Sequence, residues 1–258
     1  MSVDRYGSVN PDDIEKNIGG NTTLVSIMHA NNEVGTVQPI GAIAALAREQ
    51  GALMHTDAAQ SLGKLPVNVN ELRVDMLSIA GHKLYAPKGV GALYVRRSVR
   101  VEPLLHGAGH EGGRRAGTEN VPYVVALGKA CEIARKSLPE ATNGLRQLRD
   151  RLWERLRAAL GDHMVLNGHP ELRLPNTLNV NFVGKNGADL LQAVPEIAAS
   201  TGSACHEGSV SLSPVLAAMG VPVDLGGGAV RLSVGRFTTE DEIDRAAAAL
   251  VGAVGRVA

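Results

Sequence analysis

The 258-residue chain carries 26 Lys+Arg against 26 Asp+Glu, a formal net charge of zero, with 44% hydrophobic and 20% charged residues. Those are ordinary values for a globular protein, and the even balance removes the broad electrostatic pull toward nucleic acid or an anionic membrane. No apolar run approaches the roughly 20 residues of a membrane-spanning helix, and the opening residues lack the apolar core of an export signal. Two cysteines, Cys131 and Cys205, make no disulfide scaffold, so a reducing cytoplasm is the expected setting. Aromatic residues are only 3%, which leaves an aliphatic core and few platforms for stacking bases.

The front half alternates strand and helix. Residues 23–29 are short, β-branched and apolar and read as a buried strand. A helix is predicted from Pro39 to residue 50, with proline at its start and Gly51 beyond its end. Strands follow at 53–56, 74–79 and 91–95. Such alternation predicts an α/β layer with a mostly parallel sheet, whose ligands gather at the carboxyl ends of the strands. Helices are predicted at 127–138 and 145–160, the second with Arg146, Arg149, Arg151, Glu154 and Arg155 on a solvated face. Strands at 176–183, 197–201 and 229–234 then interleave with helices at 187–193 and 213–219. A last helix, 239–257, opens with Thr239 and Glu242 in capping-box spacing. The expected organisation is a large α/β domain over 1–137 and a smaller α+β domain over 138–258.

Polar residues collect where the strands end. The first strand runs into His29-Ala30-Asn31-Asn32-Glu33-Val34-Gly35, the second into His55-Thr56-Asp57-Ala58-Ala59-Gln60. The third ends in Gly81-His82-Lys83 and a turn through Pro87 and Gly89; a later loop reads Arg115-Ala116-Gly117-Thr118-Glu119-Asn120. Each alone has a plain structural reading, since Asp after a strand caps helices and Asn-Asn builds turns. Together they suit an aromatic nitrogen cofactor. A carboxylate such as Asp57 keeps a pyridine ring protonated, Gln60 offers an amide to a ring hydroxyl, and Lys83 is an amine for an aldehyde. That is the donor set of pyridoxal phosphate. Cys205 differs from Cys131, which sits in a predicted helix as a small apolar residue. Small and polar neighbours surround Cys205 (Gly202-Ser203-Ala204-Cys205-His206-Glu207-Gly208), as suits an accessible thiolate. No second cluster completes a tetrahedral metal set beside Cys205-His206, so no metal is expected.

These motifs, with Arg231-Leu232-Ser233-Val234-Gly235-Arg236-Phe237-Thr238-Thr239 after them, follow one another in order. The chain resembles cysteine desulfurases and selenocysteine lyases, the class V aminotransferase branch of fold type I pyridoxal phosphate enzymes. The resemblance implies their α/β transferase fold, with part of the large domain present. It also implies the roles of single residues. Lys83 matches the lysine that takes the cofactor aldehyde, Asp57 the partner of the pyridine nitrogen, and Gln60 that of the ring hydroxyl. His82 lies at the histidine beside the cofactor phosphate, and Thr118 at a threonine reaching the phosphate of the neighbouring subunit in a homodimer. Asn32 matches the asparagine at the cofactor and substrate carboxylate, and Arg231 the arginine that pairs with that carboxylate. Cys205 matches the nucleophile that removes sulfur or selenium and becomes a persulfide.

The implied reaction releases alanine from L-cysteine and hands sulfur to an acceptor protein for iron–sulfur or thio-cofactor assembly. The alternatives are selenocysteine as substrate, another class V aminotransferase, or a truncated inactive homologue acting as a subunit. The match begins after the family's front third, which bears the phosphate-cradle loop and the ring that stacks on the cofactor. Ala80 stands where many desulfurases place a serine.

Overall fold

A computed structural model describes residues 1–201 and 212–257. Its elements run α1 (Pro11–Asn17), β1 (Leu24–Ser26), α2 (Ile40–Glu49), β2 (Leu53–Asp57), β3 (Met76–Ala80), β4 (Gly91–Val95) and α3 (Val121–Leu160). After these come β5 (Met164–Asn167), β6 (Thr177–Phe182), α4 (Gly187–Gln192), α5 (Pro214–Ala218), α6 (Val223–Gly226), β7 (Ala229–Ser233) and α7 (Glu240–Arg256). Two compact units result. One holds Asn17–His29 and Ile40–Leu138; the other holds Met1–Lys16, Ala30–Pro39 and Pro139–Ala258.

The first unit is built on a sheet in the order β1-β2-β3-β4, parallel throughout except for antiparallel β4. Alternation sets its two faces. Met54, Thr56 and Leu77 point one way and are buried, as are Ile40, Ile43, Ala44 and Ala47 of α2. His55, Asp57 and Ser78 point the other way and are more open. Gly91 pairs with Ala80 at the close of the antiparallel ladder, where an added Cβ would lie 2.5 Å from the Ile79 carbonyl oxygen. That approach fits only glycine.

The second unit has an antiparallel sheet in the order β5-β6-β7. Every residue of β6 is buried. Leu178, Val180 and Phe182 join a core with Leu152, Leu156, Leu190, Val230 and Leu250. On the other face of β6, Asn167 donates to Asn179 at 2.8 Å and to Asn181 at 3.0 Å, and Asn179 donates to the Glu33 carbonyl at 3.2 Å. Such buried amides stand only because each finds partners. They also explain why residues 30–39, expected in the first domain, cluster here. The backbone of 30–39 is gripped further by Leu174 N donating to Gly35 O (2.9 Å), Val37 N to Leu172 O (2.9 Å), and Arg173 to Val34 O (3.3 Å).

α7 buries Ile243, Ala247, Leu250 and Ala253 at helical spacing. The capping box is formed: Thr239 N donates to Glu242 Oε2 at 2.8 Å, and Glu242 N to Thr239 Oγ1 at 3.3 Å. Three expectations are corrected. The two helices predicted at 127–138 and 145–160 are one 40-residue helix running through Pro139, which leaves one intrahelical N–H missing. Its arginines are not merely solvated, because Arg149 is 9% exposed and donates to the Leu174 carbonyl at 2.9 Å. Arg151 forks onto Asp244 at 2.8 and 2.7 Å. The strand predicted at 197–201 is one bridge, Ser200 with Arg231, since Pro195 and small residues leave no alternating apolar face. Burial locates the stability of this unit: Leu250→Ala should cost about 2–5 kcal/mol in urea unfolding, whereas Leu104→Ala, at a 91% exposed side chain, should stay within about 0.5 kcal/mol.

Candidate functional site

In the first unit, the polar residues predicted from the sequence lie at the carboxyl ends of β2 and β3. Asp57 closes β2, paired in register with Ser78, and Ala58 N donates to the Ser78 carbonyl at 2.9 Å. One carboxylate oxygen of Asp57 accepts from Ala59 N at 2.8 Å, and the side chain is otherwise open. The chain then winds tightly: Ser61 N and Leu62 N both donate to the Ala58 carbonyl, at 3.1 and 3.0 Å. Gln60, on this segment, is half-buried. Beyond β3, the short 3-10 turn Gly81–Leu84 carries His82 and Lys83 outward, while Leu84 is buried and pins it. Tyr85 ends the turn in the left-handed region at φ 65°, a strained conformation for a bulky residue. Thr118 lies in the exposed loop ahead of α3.

Several supporting residues had no role assigned from the sequence. His55 shares a face with Asp57, two positions on. Its Nδ1 meets Ser26 Oγ at 2.8 Å and its Nε2 meets Ser78 Oγ at 2.8 Å, linking three strands. Burial pushes the His55 imidazole down while the Asp57 charge draws it up. His29 meets Ser61 Oγ at 2.8 Å, both buried, and burial lowers the imidazole. Lys64 is another. Its Nζ donates to the Gln60 carbonyl at 2.8 Å, and burial together with the like charge of Lys83 lowers it to about 8. The period-two spacing of 55 and 57 is a signal legible in sequence; the others depend on how the turn folds.

In the second unit, Asn32 and Arg231 come together across 199 residues, Arg231 Nη1 donating to the Asn32 carbonyl at 2.9 Å. Arg231 sits centrally on β7, paired with Asn179 and bridged to Ser200. Asn31 shapes the turn before it by accepting from Glu33 N (2.8 Å) and Val34 N (2.9 Å). Glu33 is 5% exposed and accepts from Ser213 Oγ at 2.6 Å; among the described residues its Oε1 has no partner. Burial pushes this carboxyl up against the opposing pull of the Ser213 hydroxyl and the Arg231 charge. Cys205 lies outside the described residues. Cys131 is half-buried in α3, and burial raises its thiol. Among the described residues no group of three or more His, Cys, Asp or Glu side chains could hold a metal ion, and no helix is long and apolar enough to cross a membrane.

The chain belongs to the class-V aminotransferase family, whose profile matches residues 1–246. Within it, the chain is 48% identical over 247 residues to a cysteine desulfurase IscS of Methanosarcina thermophila, covering 95% of this chain and 61% of that protein. A solved structure named NifS-like protein superposes with a TM-score of 0.90 at 37% identity, covering 100% of this chain and 68% of the other. Another, SspA in complex with cysteine, gives 0.77 at 35% identity over 93% and 66%. The chain thus spans about three fifths of the length of the curated relative it matches. The α/β fold with a mostly parallel sheet is that of these enzymes.

Class-V aminotransferases and cysteine desulfurases depend on pyridoxal phosphate. The donor set suits that group: β2 ends in a solvent-facing carboxylate and a nearby amide, and the turn after adjacent β3 bears an outward amine. Neighbouring strands lie about 4.8 Å apart, so both ends of one small ring are within reach of adjacent strand ends.

Lys64 makes stability pH-dependent. Its folded value, about 8, lies below the ordinary 10.5, so between these values the unfolded chain binds the extra proton. Stability should therefore rise as pH climbs through that window. In urea unfolding at a series of pH values, wild type should gain stability relative to Lys64→Met between about pH 8 and 10.5; parallel curves would contradict the buried ammonium.

Proposed function

We propose that the chain is the cysteine desulfurase part of its family, taking sulfur from L-cysteine onto Cys205 and releasing alanine. The observation that carries this reading is the strand-end group in the first unit, with Asp57 and Gln60 after β2 and Lys83 after β3. Asp57 would hold a proton on the pyridine nitrogen through its opposite charge. Gln60 would bond the ring hydroxyl, His82 would stand by the phosphate, and Lys83 would take the aldehyde. Bound pyridoxal phosphate supplies an electron sink for charge developing at the substrate Cα.

The remaining steps belong to side chains. Arg231, steadied by the Asn32 carbonyl, presents a planar fork to the substrate carboxylate, a geometry lysine does not offer. Asn32, whose side chain is exposed, adds an amide to the same group. The amine of Lys83 removes the α-proton and returns a proton to the product. The thiolate of Cys205 attacks the substrate sulfur, the carbon–sulfur bond breaks, and Cys205 holds a persulfide as alanine departs. Cys131, with its raised thiol, suits this role less. The solved SspA carries cysteine itself, which supports L-cysteine over selenocysteine. A sulfur-acceptor protein would then discharge the persulfide in a reducing, cytoplasmic setting.

In this reading 1–137 belongs to the cofactor-binding large domain and 138–258 to the small domain, with 30–39 reaching into the latter. The enzyme works as a homodimer in which Thr118 serves the cofactor phosphate of the partner. The open sheet face, where Leu24 and Leu93 are 45% and 50% exposed, is covered by further polypeptide of the family's length, since parallel sheets are buried on both faces. Mixing the protein with pyridoxal phosphate should give a visible absorption band that Lys83→Ala abolishes. Cys205→Ser should keep that band and lose sulfide release from cysteine; loss of both would refute the division of roles.

A further inference from the structure

Glu33 is buried in the second unit, and none of the proposed steps uses it. Hydrogen bonds hold it by its N–H, its carbonyl and its carboxylate. The N–H donates to Asn31 Oδ1 at 2.8 Å, the carbonyl accepts from Asn179 Nδ2 at 3.2 Å, and Oε2 accepts from Ser213 Oγ at 2.6 Å. The Glu33 N–H and the Asn32 carbonyl belong to one planar peptide unit, and that carbonyl is the acceptor of Arg231 Nη1 at 2.9 Å. The guanidinium therefore hangs from a peptide plane whose far side is Glu33. Asn179, which grips the Glu33 carbonyl, is also the register partner of Arg231 across β6 and β7. Ser213, buried like Glu33, caps α5 by accepting from Val215 N at 3.1 Å. The side chain of Glu33 thus ties the peptide that receives Arg231 to the start of a helix.

We infer that Glu33 is a positioning residue for the substrate carboxylate: its tether to Ser213 fixes the Asn32–Glu33 peptide, and with it the direction in which Arg231 presents its fork. Breaking a buried hydrogen bond leaves its partner unsatisfied, so this tether is not lightly exchanged for water. A guanidinium bonded at one nitrogen still has donors for a ligand. What the tether adds is the angle. Two parallel N–H···O bonds to one carboxylate both need near-straight geometry, so they tolerate little misdirection. An amine without a carboxylate makes no use of that angle. The inference rests on the reading of Arg231 as the residue that pairs with the substrate carboxylate.

The test compares ligands with and without a carboxylate. L-Alanine and ethylamine are titrated into the protein loaded with pyridoxal phosphate, and the change in its visible band reads their binding. Glu33→Ala should weaken L-alanine by about tenfold, the scale of one misaligned charge-assisted contact, and leave ethylamine unchanged. Glu33→Gln, whose amide oxygen still accepts from Ser213, should stay near wild type. Ser213→Gly loses the hydroxyl yet still suits a helix cap; it should repeat the Glu33→Ala loss, and the double variant should add nothing further. A second readout needs no cofactor. In nitrogen NMR of the arginine side chains, the Arg231 signal, assigned by its loss in Arg231→Lys, should show freer guanidinium rotation in Glu33→Ala and not in Glu33→Gln. Circular dichroism melts check folding, and Ser213→Gly carries the test if Glu33→Ala does not fold. Equal weakening of both ligands, weakening of neither, or a Glu33→Gln as weak as Glu33→Ala overturns this inference alone when Arg231→Lys does weaken L-alanine. An Arg231→Lys variant that binds L-alanine like wild type overturns the reading of Arg231 and this inference with it. A wild-type chain that forms no band overturns the functional reading as a whole.

Discussion

Pairing of β2 with β3 is the constraint on which the rest depends. With both strands parallel and Asp57 level with Ser78, the chain must leave both strands at the same end of the sheet. The carboxylate after one strand and the amine after the next therefore share a neighbourhood without any direct bond between them. A one-residue slip would send Asp57 and His55 to the buried face. The register is held by burial of Met54 and Leu77 and of Thr56, whose hydroxyl donates to the Ile27 carbonyl, on that face, and by His55 on the other, bonded to serines of both neighbouring strands. His55 thus serves as a cross-brace under the site.

The second unit solves a different problem, the burial of polar groups. Its central strand is covered on both faces, and one face presents Asn179 and Asn181. Each buried amide needs partners: Asn181 exchanges hydrogen bonds with Asn167, and Asn179 donates to the Glu33 carbonyl. Fixing that backbone also fixes Asn32, whose carbonyl receives Arg231. Glu33 completes the arrangement as an anchored carboxyl whose ionisation burial opposes and Arg231 favours. The same contacts that satisfy the strand aim the arginine.

Local pattern carried much of this into the sequence. β4 falls at 91–95 as predicted, the Thr239–Glu242 box is formed, and the α/β alternation placed Asp57, Gln60 and Lys83 at strand ends. Asn32 and Arg231, both expected at the substrate carboxylate, meet with Arg231 Nη1 donating to the Asn32 carbonyl at 2.9 Å. What escaped depends on partners far along the chain. The gap left between the helices predicted at 127–138 and 145–160 is itself helical, Pro139 included. Segment 30–39 follows a strand of one unit but bonds to residues 172–179 of the other. Lys64 and Ser61 look like turn residues until the winding of 58–65 sets them beside Gln60 and His29.

Covalent trapping tests the central claim most directly. Borohydride reduction of the protein mixed with pyridoxal phosphate, followed by peptide mass mapping, reads which amine takes the aldehyde and how tightly. The account predicts a single label on Lys83, with uptake weakened by about tenfold or more in Asp57→Asn, as expected for loss of one charge-assisted hydrogen bond. A label spread over surface lysines, or one on Lys83 that Asp57→Asn leaves equally tight, would show that the two strand ends do not serve one ring.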